Sequence, residues 1–257
     1  LISLLSGHIG RANEWCSKLA VRIGAMPVIT TATDARGMFA VDIFATEHNM
    51  RIVNPVMIKD ISGRILNNEP VGITGNDKYK NLLKVTEERW NGQIKYTDNS
   101  NNEYESGVQI ITGKDDKIVF KRTLKLVPQE LAVGIGCKKG KSAHEIERAV
   151  KKTFDKAGLL LEAIAVVASV DRKADEAGII EFARKCKVPY KTYTPEYLRD
   201  VEGDFVSSAF VEEQIGVGNV CERSAGAASS GGEKLVGKTA DNGVTVAIYR
   251  VAQKNKE

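Results

Sequence analysis

The sequence predicts an α/β protein: two α/β domains with mainly parallel sheets, joined by a smaller mixed middle region. Three observations favour this class. Apolar runs as long as a buried strand repeatedly precede a polar, glycine-containing loop and then an amphipathic helix, an order typical of parallel sheets. Residues 164–170 form an apolar run of the kind that a strand covered on both faces requires. The chain has 257 residues, 42% of them hydrophobic, and can therefore bury a core without disulfides.

The first part of the chain alternates strand and helix. Residues 1–5 predict a buried strand, and residues 11–23 predict a helix whose apolar positions recur at helical spacing. These positions, Leu19 among them, are expected to be buried in the core. A second strand over residues 26–30 and a helix over residues 39–46 continue the alternation. Because the chain starts without Met and inside a strand-like run, we expect that residues precede it and that the first domain is incomplete at its start.

The middle of the chain mixes helices with paired strands. Asn54 is predicted to be the N-cap of a helix, with Pro55 in its first turn. Residues 78–90 place apolar side chains on one helical face, and residues 91–106 are polar and predict a loop or hairpin tip. The runs 107–112 and 117–126 alternate like the two paired strands of a hairpin.

The remainder predicts a second α/β unit. Ser142 and Glu145 have the spacing of a capping box, and Gly158 is placed to stop the helix that they begin. Asp241-Asn242-Gly243 predicts the tight turn of a closing hairpin. The other predicted elements are strands over residues 131–136, 164–170, 188–192, 236–239 and 244–251, a helix ending at Cys186, a helix beginning at Thr194, and helices over residues 206–216 and 219–229.

These patterns divide the chain into three regions. We assign residues 1–49 to an N-terminal α/β domain, residues 50–128 to the middle region and residues 129–257 to a C-terminal α/β domain. The longest apolar stretch, residues 159–170, is too short to span a bilayer and is interrupted by Glu162. The sequence therefore predicts a protein that neither spans nor binds a membrane.

Charge and cysteine content narrow the function classes further. The net charge of +4 is too small to indicate nucleic acid by itself, and it suits a polyanionic small ligand. The four cysteines form no C-x-x-C pair and match no zinc pattern. We therefore expect reduced thiols in a cytoplasmic protein without a resident metal.

The first candidate site follows the first predicted strand. The loop between the first predicted strand and the first predicted helix contains the candidate residues Ser6, Gly7, His8 and Gly10, and Asn13 follows at the start of the helix. Glycines at such a junction let the backbone approach a ligand. An imidazole at such a place can take or give a proton near neutral pH. The alternative is an ordinary turn with a surface histidine. Without further evidence, the motif favours this alternative.

Two further candidates follow predicted strand ends. Thr31, Thr33 and Asp34 offer hydroxyls and a carboxylate to a polar ligand, or simply start a turn. The stretch GIGCKKG contains Gly136 and Cys137, but its glycines do not fit the spacing of a dinucleotide-binding loop. The neighbouring Lys138, Lys139 and Lys141 can lower the pKa of Cys137, but the sequence favours the alternative of a small buried cysteine.

Two charged residues complete the candidates. Lys173 follows the apolar run 164–170 and can clamp a substrate carboxylate, the alternative being a solvated charged loop. Glu222 lies in an otherwise small and apolar helix, within GVGNVCERSA. If Glu222 faces inward it is an unusual buried acid, which burial would tend to keep protonated; if it faces outward it is ordinary.

Six motifs occur along the chain in a specific order: LLSGHIGRAN, PVITTATD, GIGCKKGKS, the KADE of residues 173–176, GVGNVCERSA and KTADNGVTVAIY. Together they resemble the CbiG family of anaerobic cobalamin biosynthesis, the cobalt-precorrin-5A hydrolases. The resemblance touches nearly the whole chain. It implies an N-terminal α/β domain, a variable middle region and a C-terminal α/β domain.

The resemblance also implies a reaction. Water opens a lactone on a cobalt-containing contracted macrocycle, and a two-carbon fragment leaves as acetaldehyde. The cobalt belongs to the substrate, so no further cofactor is expected. His8 is the first choice for the acid/base and Glu222 the second, with Thr31, Thr33 and Asp34 as positioning groups.

The remaining expectations concern partners and competing functions. A tetrapyrrole is the expected partner, whereas nucleic acid and membranes are not expected; a homodimer and transient contacts with neighbouring pathway enzymes are left open. Cys137 as a covalent nucleophile ranks below a role in substrate binding. The competing class is a non-catalytic tetrapyrrole-binding or carrier protein, and a nucleotide-dependent enzyme ranks last.

Overall fold

The computed structural model describes residues 12–26, 37–90, 92–98, 103–114, 116–203, 205 and 218–252. The chain divides into two compact units at Pro128. The first unit contains the residues up to Ile111 together with Asp116–Pro128, and the second contains Thr112–Asp115 together with Gln129–Glu257. In the part of the chain that the structure describes, no helix is long and apolar enough to cross a membrane.

The described part of the first unit is a five-stranded sheet with helices. The sheet order is β1-β5-β4-β2-β3, and only β1 runs antiparallel to its neighbour. The elements are α1 (Ala12–Ile23), α2 (Val41–Glu47), β1 (Met50–Ile52), α3 (Ile58–Leu66), β2 (Gly72–Thr74), α4 (Lys80–Arg89), β3 (Lys95–Tyr96), β4 (Ser106–Ile110) and β5 (Arg122–Pro128).

The predicted hairpin of residues 107–126 is wrong, because β4 and β5 are parallel neighbours. Alternation of apolar residues shows which side chains share a face, but it does not show the direction in which two strands pair. All five residues of β4 are buried. The ring of Phe120, in the connection before β5, packs against Gly107, where a Cβ atom would collide with it. This connection therefore packs over β4 instead of making a tight turn.

Two other expectations for the first unit are corrected. Leu19 is not in the core: it is 43% exposed, because α1 directs part of its apolar face away from the other described residues. Asn54 does not cap the helix with its side chain. Its amide Nδ2 donates to the carbonyl of Thr123 and its Oδ1 accepts from the backbone N–H of Lys125, so Asn54 joins the start of the helical segment to β5.

The core of the first unit combines residues from two of the predicted regions. Phe39 and Phe44, before residue 50, are buried together with Ile61, Ile73 and Leu124 of the middle region. The middle region also supplies all five strands of the described sheet. The boundary that we place at residue 49 stays a prediction.

The second unit is a sheet in the order β8-β7-β6-β10-β9. Its pairs β6–β7 and β7–β8 are parallel, whereas β6–β10 and β10–β9 are antiparallel, so the expectation of a mainly parallel sheet holds for only half of it. The elements are β6 (Leu131–Cys137), α5 (Ala143–Lys156), β7 (Ile164–Val170), α6 (Ala177–Cys186), β8 (Tyr190–Tyr193), α7 (Pro195–Arg199), α8 (Val220–Ser229), β9 (Lys234–Asp241) and β10 (Val244–Arg250).

Local sequence signals in the second unit are confirmed. The capping box of α5 has both of its hydrogen bonds, between Ser142 and Glu145. The closing hairpin turns at Asn242 and Gly243, whose φ angles of 44° and 76° are those that an Asn-Gly pair tolerates. The helix predicted over residues 206–216 lies outside the described residues.

Helix α8 packs very closely on the sheet. A Cβ atom at Gly134 of β6 would collide with the carbonyl oxygen of Cys221, so only glycine permits this approach. Ala168 and Ala225 are buried at the same interface. The N-terminal turn of α8 is thereby held near the ends of β6 and β7 that carry the candidate residues.

Candidate functional site

The structure brings together some of the predicted site residues and leaves others outside its description. Ser6, Gly7, His8 and Gly10 lie outside the described residues, as do Thr31, Thr33 and Asp34. The backbone of Asn13 lies in the first turn of α1. The second unit contains the other predicted site residues, Gly136, Cys137, Lys173 and Glu222.

Cys137 and Lys173 lie at the same edge of the second sheet. Strand β6 ends at Cys137, and its parallel neighbour β7 ends at Val170, directly before the short helical turn Asp171–Lys173. The carboxyl ends of parallel strands are where open α/β sheets bind ligands. We call this cluster of Cys137, Gly140, Lys173 and Glu176 the carboxyl-edge site.

Glu176 joins the two loops of the carboxyl-edge site. The sequence places it beside Lys173 in the KADE motif but does not predict this role. Its Oε2 accepts from Lys173 Nζ at 2.7 Å, and its Oε1 accepts from the backbone N–H of Gly140 at 2.7 Å. Burial alone would raise the pKa of Glu176, but these two hydrogen bonds outweigh it and hold the pKa below its ordinary value. Glu176 is therefore an ionised carboxylate that fixes the Lys173 ammonium.

The thiol of Cys137 is not activated. Burial raises its pKa, Lys173 opposes that rise, and the charge of Glu176 adds to it. The alternative that the sequence favours, a cysteine without a lowered pKa, is therefore confirmed. One of the neighbouring lysines, Lys141, has its ammonium 2.7 Å from Glu145 on α5. Cys137 is thus a protonated thiol at neutral pH.

The turn that carries Lys173 is fixed from the next strand. The hydroxyl of Tyr190, the first residue of β8, donates to the carbonyl oxygen of Lys173 at 2.8 Å. Burial raises the pKa of Tyr190 to about 12, so the phenol keeps its proton and remains a donor. The side chain of Lys173 is held by Glu176 and its backbone by Tyr190, which leaves little freedom to its ammonium group.

Glu222 faces inward, which answers the question that the sequence left open. Its side chain is only 4% exposed, but the carboxylate has partners. Oε1 accepts from the backbone N–H of Lys238 at 2.5 Å, and Oε2 lies 3.4 Å from Lys234 Nζ. Both partners belong to β9, so Glu222 connects α8 to the edge strand of the sheet.

The start of α8 carries a strained residue. Asn219 has a φ of 55°, in the left-handed region, and its Oδ1 accepts from the backbone N–H of Glu222 at 3.4 Å. Asparagine tolerates this conformation better than most residues and also supplies the capping oxygen. No group of three or more His, Cys, Asp or Glu suited to hold a metal ion occurs in the described ranges.

Comparison with known proteins gives the family. Three models match in succession: "Cobalamin synthesis G N-terminal" at residues 1–34, "Cobalamin biosynthesis central region" at residues 39–135 and "Cobalamin synthesis G C-terminus" at residues 131–249. A cobalt-precorrin-5A hydrolase of Salmonella typhimurium is 33% identical over 251 residues, which covers 96% of this chain and 70% of that protein. The chain belongs to the CbiG family. The resemblance read from the six motifs is thereby confirmed.

Two further curated proteins and one solved structure are also similar. A probable cobalt-precorrin-5A hydrolase of Methanocaldococcus jannaschii is 29% identical over 262 residues, covering 96% of this chain and 73% of that protein. The hydrolase of Priestia megaterium is 27% identical over 208 residues, covering 78% of this chain and 55% of that protein. The structure of CobE, a protein from the cobalamin (vitamin B12) biosynthetic pathway, covers 50% of this chain and 94% of its own at 29% identity, with a TM-score of 0.46.

Proposed function

We propose that this chain hydrolyses cobalt-precorrin-5A in anaerobic cobalamin biosynthesis, releasing acetaldehyde and giving cobalt-precorrin-5B. The observation that carries the proposal is the 33% identity to the Salmonella hydrolase over 96% of the chain. The order of the matched family models along the chain agrees with it. The proposal includes a cytoplasmic location. The described cysteines form no disulfide, which is consistent with that location.

The chemistry has two stages. A base takes a proton from water, the oxygen adds to the lactone carbonyl, and hydrogen-bond donors stabilise the tetrahedral oxyanion. Ring opening leaves a carboxylate and an alkoxide on the two-carbon fragment. The alkoxide oxygen then forms the carbonyl of acetaldehyde, while the electron pair of the broken carbon–carbon bond passes to the macrocycle, whose cobalt acts as the electron sink.

We assign the acid/base role to His8 and keep Glu222 as the second candidate. The geometry of Glu222 supports that order, because its two oxygens already accept from Lys238 and approach Lys234. Thr31, Thr33 and Asp34 are proposed to position the substrate.

Lys173 is proposed to bind one of the substrate's acetate or propionate groups. The ammonium group of Lys173 has three N–H donors, and one of them donates to Glu176. Another N–H can therefore donate to a ligand at the carboxyl ends of the strands. Gly136 and Cys137 adjoin this position at the end of β6. The raised pKa of Cys137 supports a role in lining the site over one as a nucleophile.

The test is incubation with cobalt-precorrin-5A, using this chain and a longer protein that contains it. Acetaldehyde is trapped as a hydrazone and quantified, and the macrocycle product is followed by mass spectrometry. We expect one acetaldehyde for each macrocycle converted. Tight binding of the macrocycle with no acetaldehyde from either protein would favour the non-catalytic carrier instead.

A further inference from the structure

Two tyrosines extend the carboxyl edge of the second sheet beyond the carboxyl-edge site. Strand β8 runs parallel to β7, and its last residue, Tyr193, pairs in register with Val170, the last residue of β7. The turn that carries Lys173 begins directly after Val170. The ring of Tyr193 stacks on the ring of Tyr197 in α7, with centroids 5.3 Å apart and an angle of 16° between the ring planes. We call this stacked pair the tyrosine platform.

The inner ring of the tyrosine platform is anchored in the core of the second unit. Tyr193 is partly buried and packs against a cluster of buried residues, Val170, Leu198 and Val220. Burial raises the pKa of Tyr193, so its phenol is neutral at physiological pH. Tyr193 therefore gives the ring of Tyr197 a support that does not depend on a ligand.

The outer ring belongs to a short helix that is fixed at both ends. The hydroxyl oxygen of Thr194 accepts from the backbone N–H of Tyr197 at 3.2 Å, which caps the start of α7. At the other end, Arg223 of α8 donates from Nη1 to the carbonyl of Leu198 at 2.9 Å and to that of Arg199 at 3.1 Å. The position of Tyr197 is therefore set in advance, which lowers the entropy that a ligand must overcome on binding.

The outer ring is also exposed, unlike most aromatic side chains that the structure describes. Among those described, only Tyr197 and Trp15 are exposed, at 54% and 55%. Because Tyr193 covers one face of the Tyr197 ring, the exposed surface lies on the other face and on the rim. Parallel sheets bind ligands at this edge, and an open aromatic face there favours a flat ligand that can stack on it.

We propose that the tyrosine platform stacks against the ring face of the tetrapyrrole substrate and holds the macrocycle beside Lys173. The register between Tyr193 and Val170 keeps the platform and the Lys173 turn at one edge of the sheet. Stacking recognises the broad apolar face of the macrocycle and requires no net charge in the site. This inference rests on the proposed function, from which it takes its ligand.

The test titrates the full chain with uroporphyrin III, a planar tetrapyrrole that carries acetate and propionate groups. It has no lactone, so binding is measured without turnover. The Soret absorbance of the porphyrin gives the Kd. The ¹H–¹³C spectrum of protein labelled at its tyrosine rings reports the contact, because the ring current of a stacked porphyrin shifts the ring protons beneath it upfield. We expect saturable binding, with the Tyr197 resonances shifted furthest.

Two variants at Tyr197 and one control decide the assignment. Tyr197→Ala should raise the Kd at least about fivefold, the lower end of the loss seen when an aromatic side chain that stacks on a nucleic-acid base is removed. Tyr197→Phe keeps the ring and should leave the Kd nearly unchanged. Ile180→Ala removes an apolar side chain of α6 that is 42% exposed, and should leave the Kd unchanged. All three variants should keep the wild-type melting curve, because these side chains are exposed.

Any of four results would overturn the proposal. The first is the absence of saturable binding of uroporphyrin III to the wild-type chain. The second is an unchanged Kd in Tyr197→Ala, and the third is an equal loss in Ile180→Ala, which would indicate unspecific adsorption of the porphyrin. The fourth is a loss in Tyr197→Phe as large as that in Tyr197→Ala, since the hydroxyl and not the ring face would then make the contact.

These outcomes can be distinguished from failure of the proposed hydrolase activity. Binding that depends on the Tyr197 ring, without release of acetaldehyde from cobalt-precorrin-5A, would refute the hydrolase and support the platform. Release of acetaldehyde by the wild-type chain, together with unchanged porphyrin binding in Tyr197→Ala, would support the hydrolase and refute the platform.

Discussion

Replacing Glu222 with glutamine separates a structural role from an acid/base role. Glutamine keeps an acceptor for the backbone N–H of Lys238, 2.5 Å away in the wild type, but loses the charge that attracts Lys234. A charged hydrogen bond contributes about 1 kcal/mol more than a neutral one. The partly exposed pair with Lys234 adds less than about 1 kcal/mol. We therefore expect a destabilisation of about 1–2 kcal/mol.

This loss should lower the melting temperature by roughly 2–8 °C, and urea unfolding should give the same loss of unfolding free energy.

Two alanine variants calibrate the measurement. Phe154→Ala, at a fully buried position, should cost about 3–5 kcal/mol, whereas Leu19→Ala, at a position 43% exposed, should cost about 1 kcal/mol or less. Turnover of cobalt-precorrin-5A per folded molecule should stay within a few-fold of wild type. If Glu222→Gln melts normally and loses turnover a hundredfold, our reasoning fails and the acid/base is Glu222.

The remaining predictions concern the proposed site. His8→Ala should lose on the order of a hundredfold in turnover or more with an unchanged melting curve; normal turnover would show that the motif is only a turn. Alkylation of Cys137 by iodoacetamide, followed by peptide mass spectrometry, should be slow at pH 7 and rise with pH, because the raised pKa leaves little thiolate. Glu176→Gln removes a charge that raises this pKa, so the rate at pH 7 should increase, and a decrease would contradict the geometry. Lys173→Met should raise KM about tenfold or more while kcat changes little, since a carboxylate clamp binds ground state and transition state alike; a loss confined to kcat would refute the clamp.

Features set by neighbouring residues could be predicted from the sequence. The Ser142–Glu145 capping box and the Asn242-Gly243 turn each depend on a few consecutive positions, and both formed as expected. The helix beginning at Asn219 is a similar case, because the capping side chain and the first turn that it serves are adjacent in sequence.

Features set by distant contacts could not be predicted. The pairing direction of β4 and β5 depends on how their connection packs, with Phe120 against Gly107. The exposure of Leu19 depends on what α1 faces, which helical spacing does not specify. The hydrogen bond from Gly140 to Glu176 joins residues 36 positions apart, and only the parallel pairing of β6 with β7 brings their loops together.

The protonation states at the carboxyl-edge site bear on where the reaction's base must come from. Cys137 has a raised pKa and is a thiol, and Lys173 is an ammonium paired with Glu176. Glu176 has a lowered pKa and is therefore a weak base, because the strength of a general base falls with its pKa. These three residues are equipped to hold an anionic substrate and poorly equipped to activate water at neutral pH. A separate group with a pKa near neutrality is needed for that step, and an imidazole meets this requirement without any shift, which is why we rank His8 above every titratable residue of the carboxyl-edge site.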